Sequence, residues 1–190
     1  TGVQTCALPI SLANDASISG LTVGKGGGAV STNTAVGVSA LAAVTTGANS
    51  TAVGYQALKA MTDGGTCDAF GDRALTSNTT GYDNAAFGQR ALFNNTSGHA
   101  NIAFGRAALY SNTTASNNTA VGYYAGYSNT TGTSLVAIGY QSAYSNTTGN
   151  NNIGLGIQTL QLNTTGGNNI AIGTAALYNN TTANNNTAVG

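Results

Sequence analysis

The chain has 190 residues, with five Lys and Arg against five Asp and Glu, one His and a formal charge of zero. So few cations cannot neutralise a phosphate track, which excludes nucleic acid as a partner. With 41% apolar and 5% charged residues, it is not a charge-driven disordered tail either. One His and five Asp (Asp15, Asp63, Asp68, Asp72 and Asp83) are too few convergent groups for acid–base catalysis. No catalytic residue, cofactor or metal site is therefore expected, and no apolar run is long enough to span a membrane.

In chain order, residues 1–10 read TGVQTCALPI, the translation of ACT GGA GTT CAG ACG TGT GCT CTT CCG ATC, a string that looks like a sequencing-adaptor end. This decapeptide, with Cys6, is expected to be an artefact and not native protein. Residues 11–30 form an irregular Gly-rich lead-in. Its run Gly24-Lys25-Gly26-Gly27-Gly28 lacks the four-residue spacer and the Ser or Thr after Lys that a phosphate loop needs. From residue 31 to 190 the chain is a tandem array. Glycine recurs every 17 residues at Gly37, Gly54, Gly71, Gly88, Gly105, Gly122, Gly139, Gly156, Gly173 and Gly190, without insertion or deletion. The array stops on a repeat glycine with no capping unit, so the sequence is expected to be a piece of a longer protein.

Numbering each unit so that its glycine is position 17, the consensus is Y-Q-A-L-Y-S-N-T-T-G-x-N-N-T-A-V-G. This period is too short for helical repeats and suits one coil of a parallel β-solenoid, two short strands with bends between them. The fold class is all-β, with about ten coils. Position 16 is always apolar: Val36, Val53, Phe70, Phe87, Phe104, Val121, Ile138, Leu155, Ile172 and Val189. Strand side chains alternate between faces. The large residues at position 16 are therefore expected inside, against the position 4 leucines, with the Ala of position 15 on the other face.

Positions 6 to 12 carry turn chemistry, Asn and Gly tolerating positive φ. Asn78, Asn95, Asn112, Asn129, Asn146, Asn163 and Asn180 share position 7 within Asn-x-Ser/Thr sequons, a possible glycosylation edge on an exposed loop. Asn33, Asn84, Asn101, Asn118, Asn152, Asn169 and Asn186 share position 13; both rows can form amide ladders along the axis. Phe93, Tyr110, Tyr127, Tyr144 and Tyr178 make an aromatic row at position 5. Paired threonines such as Thr79/Thr80 and Thr147/Thr148 admit a minor ice-binding reading. Cys67 replaces Asn at position 13 and reads as a lone buried thiol.

The units N-T-A-V-G, N-I-A-F-G, V-A-I-G and N-I-A-I-G resemble the head repeats of YadA-like trimeric autotransporter adhesins. Residues 18–41 are similar to the start of repeat arrays in phage tail-fibre-type proteins. The resemblance covers residues 18–190 and implies a left-handed parallel β-roll and a homotrimer, whose subunits would meet through the small residues of positions 15 and 17. The expected function is the shaft of an extracellular fibre, a phage tail fibre or a bacterial surface filament or adhesin. Its partner would be itself, as a trimer or an axial filament, with cell-surface glycans engaged by domains not in this sequence. The alternative is a glycan-binding or heavily glycosylated surface filament built by end-to-end stacking.

Overall fold

The computed structural model describes residues 16–18 and 21–190, so residues 1–10 lie outside the described residues. It is a parallel β-solenoid of 17-residue coils. Two strands, β1 (Ala16–Ile18) and β2 (Leu21–Gly24), form an antiparallel hairpin, and β2 pairs antiparallel with β3 (Thr34–Val36). Nine further strands follow in register and all parallel: β4 (Thr51–Val53), β5 (Asp68–Phe70), β6 (Ala85–Phe87), β7 (Ile102–Phe104), β8 (Thr119–Val121), β9 (Val136–Ile138), β10 (Ile153–Leu155), β11 (Ile170–Ile172) and β12 (Thr187–Val189). The described part of the lead-in is more regular than its glycines imply. Gly27 donates its N–H to the Leu41 carbonyl at 2.9 Å, and a Cβ at Gly26 would stand 2.5 Å from that of Leu41, so these glycines seat the lead-in on the first coil.

Each coil carries one strand of three residues, at positions 14 to 16, and not the expected two. The Y-Q-A-L-Y-S stretch is a chain of turns. Ala57 donates back to Gly54 at 3.3 Å and Asn78 to Leu75 at 3.1 Å. Intervening amides reach neighbouring coils instead: Arg73 to Tyr55 at 2.8 Å, Leu75 to Ala91 at 3.0 Å, Ser77 to Phe93 at 3.2 Å. This alternation puts positions 2 and 4 in the left-handed region, as at Gln56 (φ 56°) and Leu58 (φ 50°). Such a conformation costs about 1–2 kcal/mol for a residue with a Cβ. It persists because the coils above and below constrain every rung.

The face assignment is reversed by the structure. The alanines of position 15 are buried completely, except the half-buried Ala188 of the last coil, whereas the position 16 side chains point outward, with Phe104 56% exposed. Val36, Val53, Phe70, Phe87, Val121, Ile138, Leu155, Ile172 and Val189 share that outward column, partly shielded only by their neighbours or, at Val189, mostly bare. The cross-section explains why. Alanines at position 3 and leucines at position 4 already fill the interior, including Leu41, Leu58, Leu75, Leu92, Leu109 and Leu160 at 0% exposure. Only a methyl fits opposite them.

Exceptions to the consensus confirm how tight that interior is. Position 15 is Gly154 where position 3 is Ser142 and, in the next coil, Thr159. A Cβ at Gly154 would lie 2.6 Å from Ser142 Oγ and 2.8 Å from Thr159 Oγ1, and the two hydroxyls bond each other at 2.7 Å. Position 4 is Gly126 where Leu135 replaces the usual Asn at position 13. Leu109 Cδ2 and Leu135 Cδ2 lie 3.0 and 3.3 Å from the site of the missing Cβ.

The repeat glycine serves both conformation and closeness. Gly54 has φ 136°, and a Cβ there would meet the Gly71 carbonyl oxygen at 2.4 Å. Position 10 differs from expectation. Its glycines lack positive φ and are needed for space, since a Cβ at Gly98 would stand 2.2 Å from the Ala115 carbonyl oxygen. Positions 15 and 17 therefore lie within or between coils of one chain, so the small face implied for the trimer contact is occupied by the chain itself.

Candidate functional site

The position 7 asparagines point inward. Asn78, Asn95, Asn112, Asn129, Asn146 and Asn163 are all 0% exposed, and Asn180 in the last coil is half-buried. Each amide donates to the carbonyl three residues on and, from Asn95 onward, to the preceding asparagine. Asn95 Nδ2 reaches Gly98 O at 3.0 Å and Asn78 Oδ1 at 2.8 Å, and the chain continues to Asn180. The predicted glycosylation edge is thus a buried hydrogen-bond ladder, because a buried amide is stable only when its donors and acceptors are paired. Sequons left on the surface are those of Asn49, Asn117 and Asn185 at position 12 and Asn179 at position 6, with Asn94, also at position 6, half-buried.

The position 13 row is the second interior ladder. Asn101 donates both its backbone N–H and its side chain to Asn84 Oδ1, at 3.0 and 3.1 Å, and its amide also reaches the Ala115 carbonyl at 2.9 Å. Cys67 interrupts this row as a free, buried thiol, and burial pushes its pKa up to about 11. It is inert as a nucleophile at neutral pH.

The threonine pairs divide their work. Position 8 hydroxyls donate to the position 8 carbonyl of the next coil, Thr96 to Thr113 O and Thr113 to Thr130 O, each at 3.1 Å. Position 9 points to solvent: Thr46, Asp63, Thr80, Ser97, Thr114, Thr131, Thr148, Thr165 and Thr182 are all exposed. Thr46 bonds Asp63, but among the described residues no other hydroxyl of this column bonds protein. Positions 1 and 11, equally near the surface, vary from Val to Arg and from Gly to Tyr. Oxygen is therefore retained at position 9 in every coil although the fold makes little use of it. Ser97 and Asp63 show that β-branching is not the retained property.

The aromatic row at position 5 forms as expected between Phe93, Tyr110, Tyr127 and Tyr144, with centroids 5.1–5.2 Å apart and nearly parallel rings. Tyr178 stands apart, separated by Gln161. Tyr124 meets Tyr127 edge-on at 5.0 Å, and partial burial with these neighbours raises the Tyr127 hydroxyl pKa. Arg73 and Arg106 lie over the Tyr55 and Tyr123 rings, at 5.3 and 5.6 Å.

The polar groups do not converge. His99 stacks on Tyr82 at 4.7 Å, and Ser116 Oγ accepts its backbone N–H at 3.1 Å while contacting its Nδ1 at 3.0 Å, a local clamp. Asp63 is engaged by Thr45 and Thr46, Asp72 by Gln89, and Asp68 opens β5. What periodicity did not reveal is the outward sheet face, where positions 14 and 16 line up along β3–β12. No helix among the described residues is long and apolar enough to cross a membrane. Comparison with protein-family models, with curated proteins and with solved structures gives no match to this chain.

Proposed function

We propose that the chain is the shaft of an extracellular fibre, a phage tail fibre or a bacterial surface filament or adhesin, without catalytic activity. The observation that carries this reading is the unbroken inter-coil bonding. Backbone amides connect each coil to its neighbours on both sides along the axis, and two buried Asn ladders reinforce most of the coils from Asn78 onward. Load along that axis is shared by many parallel bonds in each rung. Ten strands at about 4.8 Å spacing span about 43 Å, and an array of this kind lengthens without changing its cross-section. Near-zero charge keeps the shaft indifferent to charged polymers, and recognition of cell-surface glycans falls to domains outside this sequence. Assembly is with itself, side by side or by axial stacking.

The test is immunogold labelling of the producing cells or particles with antibodies raised against residues 31–190. Label distributed along surface fibres is the expected result; label confined to the cytoplasm or to fibre tips would overturn the reading. The position 9 column favours a second reading, in which this hydroxyl edge holds a polysaccharide or carries glycans. Binding of the recombinant chain to a polysaccharide, abolished by replacing Thr114, Thr131 and Thr148 with Ala, would place recognition on the shaft itself. An ice-binding surface is less well served, because only one of the two threonine columns has its hydroxyl free.

A further inference from the structure

The outward face of β3–β12 is apolar and uncovered by any other described part of the chain. Ile102, Phe104, Ile138, Ile170 and Ile172 are between 37% and 56% exposed on it; Asp68 is the one charged residue in positions 14 and 16, and Asp72 and Arg106 lie along its position 1 edge. All-parallel sheets are stable with both faces covered, and large contiguous apolar surfaces on soluble proteins mark contacts. Here the inner face is filled by alanine and leucine, and the outer face is not filled.

We propose that a second copy of this chain covers this face, sheet on sheet, in a two-fold pair. The extent of the face supports it. Ten strands at about 4.8 Å give a length of about 43 Å, and the five residues from position 14 to position 1 give a width of about 16 Å. That is about 700 Å² per copy, close to the roughly 800 Å² per partner of a standard stable interface. The period of the face selects the occupant. Phe70, Phe87 and Phe104 stack into a ridge with centroids 4.7 and 5.4 Å apart, so side chains and gaps alternate at the coil spacing. Another copy presents the same period over the same length, and its side chains interdigitate on every rung as in paired stacked sheets. One face of this kind engages one neighbour isologously, which makes a pair and not a ring of three. The inference deepens the shaft reading and rests on it only for the rigidity and length of the array.

Sedimentation equilibrium of the full chain tests the pair, in a Cys6→Ser background. The expected mass is twice the 18.7 kDa of one chain. The double variant Phe104→Glu/Ile138→Lys, at two outward positions, should weaken association about 100-fold or more by burying charges, while circular dichroism stays unchanged. Thr131→Glu, on the hydroxyl column, should leave the pair intact. A monomeric parent, a three-chain mass, or assembly indifferent to the double variant would each overturn the proposal. If the double variant does not fold, Thr119→Cys on β8 serves instead: oxidation should link two copies, whereas Thr131→Cys should not, and the reverse pattern refutes the pair. Monomers with label along fibres would sink the pair alone, and pairs without fibre label the shaft alone.

Discussion

Replacing Asn129 by Ala removes the middle of the position 7 ladder. Its amide donates to Gly132 O at 2.8 Å and Asn112 Oδ1 at 3.2 Å, and its Oδ1 accepts from Asn146 Nδ2 at 2.8 Å. Three hydrogen bonds at about 0.5–1.5 kcal/mol each give an expected loss of about 2–4 kcal/mol. Relief is partial, because Gly132 O keeps the Asn118 amide at 3.0 Å and Asn146 keeps Gly149 O at 3.0 Å. Exposed Thr131→Ala, two residues on, is the control and should change stability by less than about 0.5 kcal/mol. Repeat arrays need not unfold in one step. The assay is therefore hydrogen exchange of amides in the affected and flanking coils, beside guanidinium melts followed by circular dichroism. Asn129→Ala indistinguishable from Thr131→Ala would refute the view that the buried amides carry the stacking.

Backbone conformation gives a pair of opposite outcomes. Gly105→Ala at φ 136° puts a Cβ 2.4 Å from the Gly122 carbonyl oxygen and should lower the melting midpoint sharply, by more than about 3 kcal/mol equivalent. Ala107→Gly at φ 55° removes left-handed strain and should leave stability unchanged or raise it by up to about 1 kcal/mol. Gly154→Ala should destabilise alone but be tolerated with Ser142→Ala and Thr159→Ala, a coupling of at least about 1 kcal/mol in a mutant cycle. For Cys67, the folded-state pKa of about 11 lies above its ordinary value of 9.0, so the unfolded chain loses the proton first. Stability should then be flat below pH about 9 and fall by about 2–3 kcal/mol towards pH 11, a decline that Cys67→Ala lessens.

The coil length, the register and the parallel stacking were legible in the sequence because glycine spacing is a one-dimensional signal. The side of the strand was not. Ala52 and Val53 alternate faces under either assignment, and hydrophobicity favours burying Val. The decision rests on the width of the cross-section, set by Ala57 and Leu58 from across the coil, which periodicity does not measure. The same competition misled the reading of Asn78 and its equivalents. Within S-N-T-T-G they look like turn residues facing water, yet the amide is satisfied better by its copies in adjacent coils than by solvent. Leu58 shows a third limit. No propensity rule anticipates a leucine at φ 50°, because the conformation is imposed by hydrogen bonds to neighbouring coils. The position 9 column is the reverse case. Its constancy was visible within S-N-T-T-G, and only the geometry shows that the fold makes little use of it.

The paired exceptions of the interior bear on how such an array can change over generations. Unequal exchange between near-identical repeats adds or removes whole coils, and between residues 72 and 122 neighbouring coils are nearly interchangeable inside. Gly126 and Leu135 instead compensate each other within one coil, and Ser142 with Gly154 and Thr159 ties the next two coils into one unit. A crossover between Gly126 and Leu135 would spoil the fit at position 4, and one that separates Gly154 from Ser142 or Thr159 would force a methyl onto a hydroxyl. Length variants of this protein should therefore gain and lose coils on the amino-terminal side of residue 123, and inherit residues 140–173 as a block.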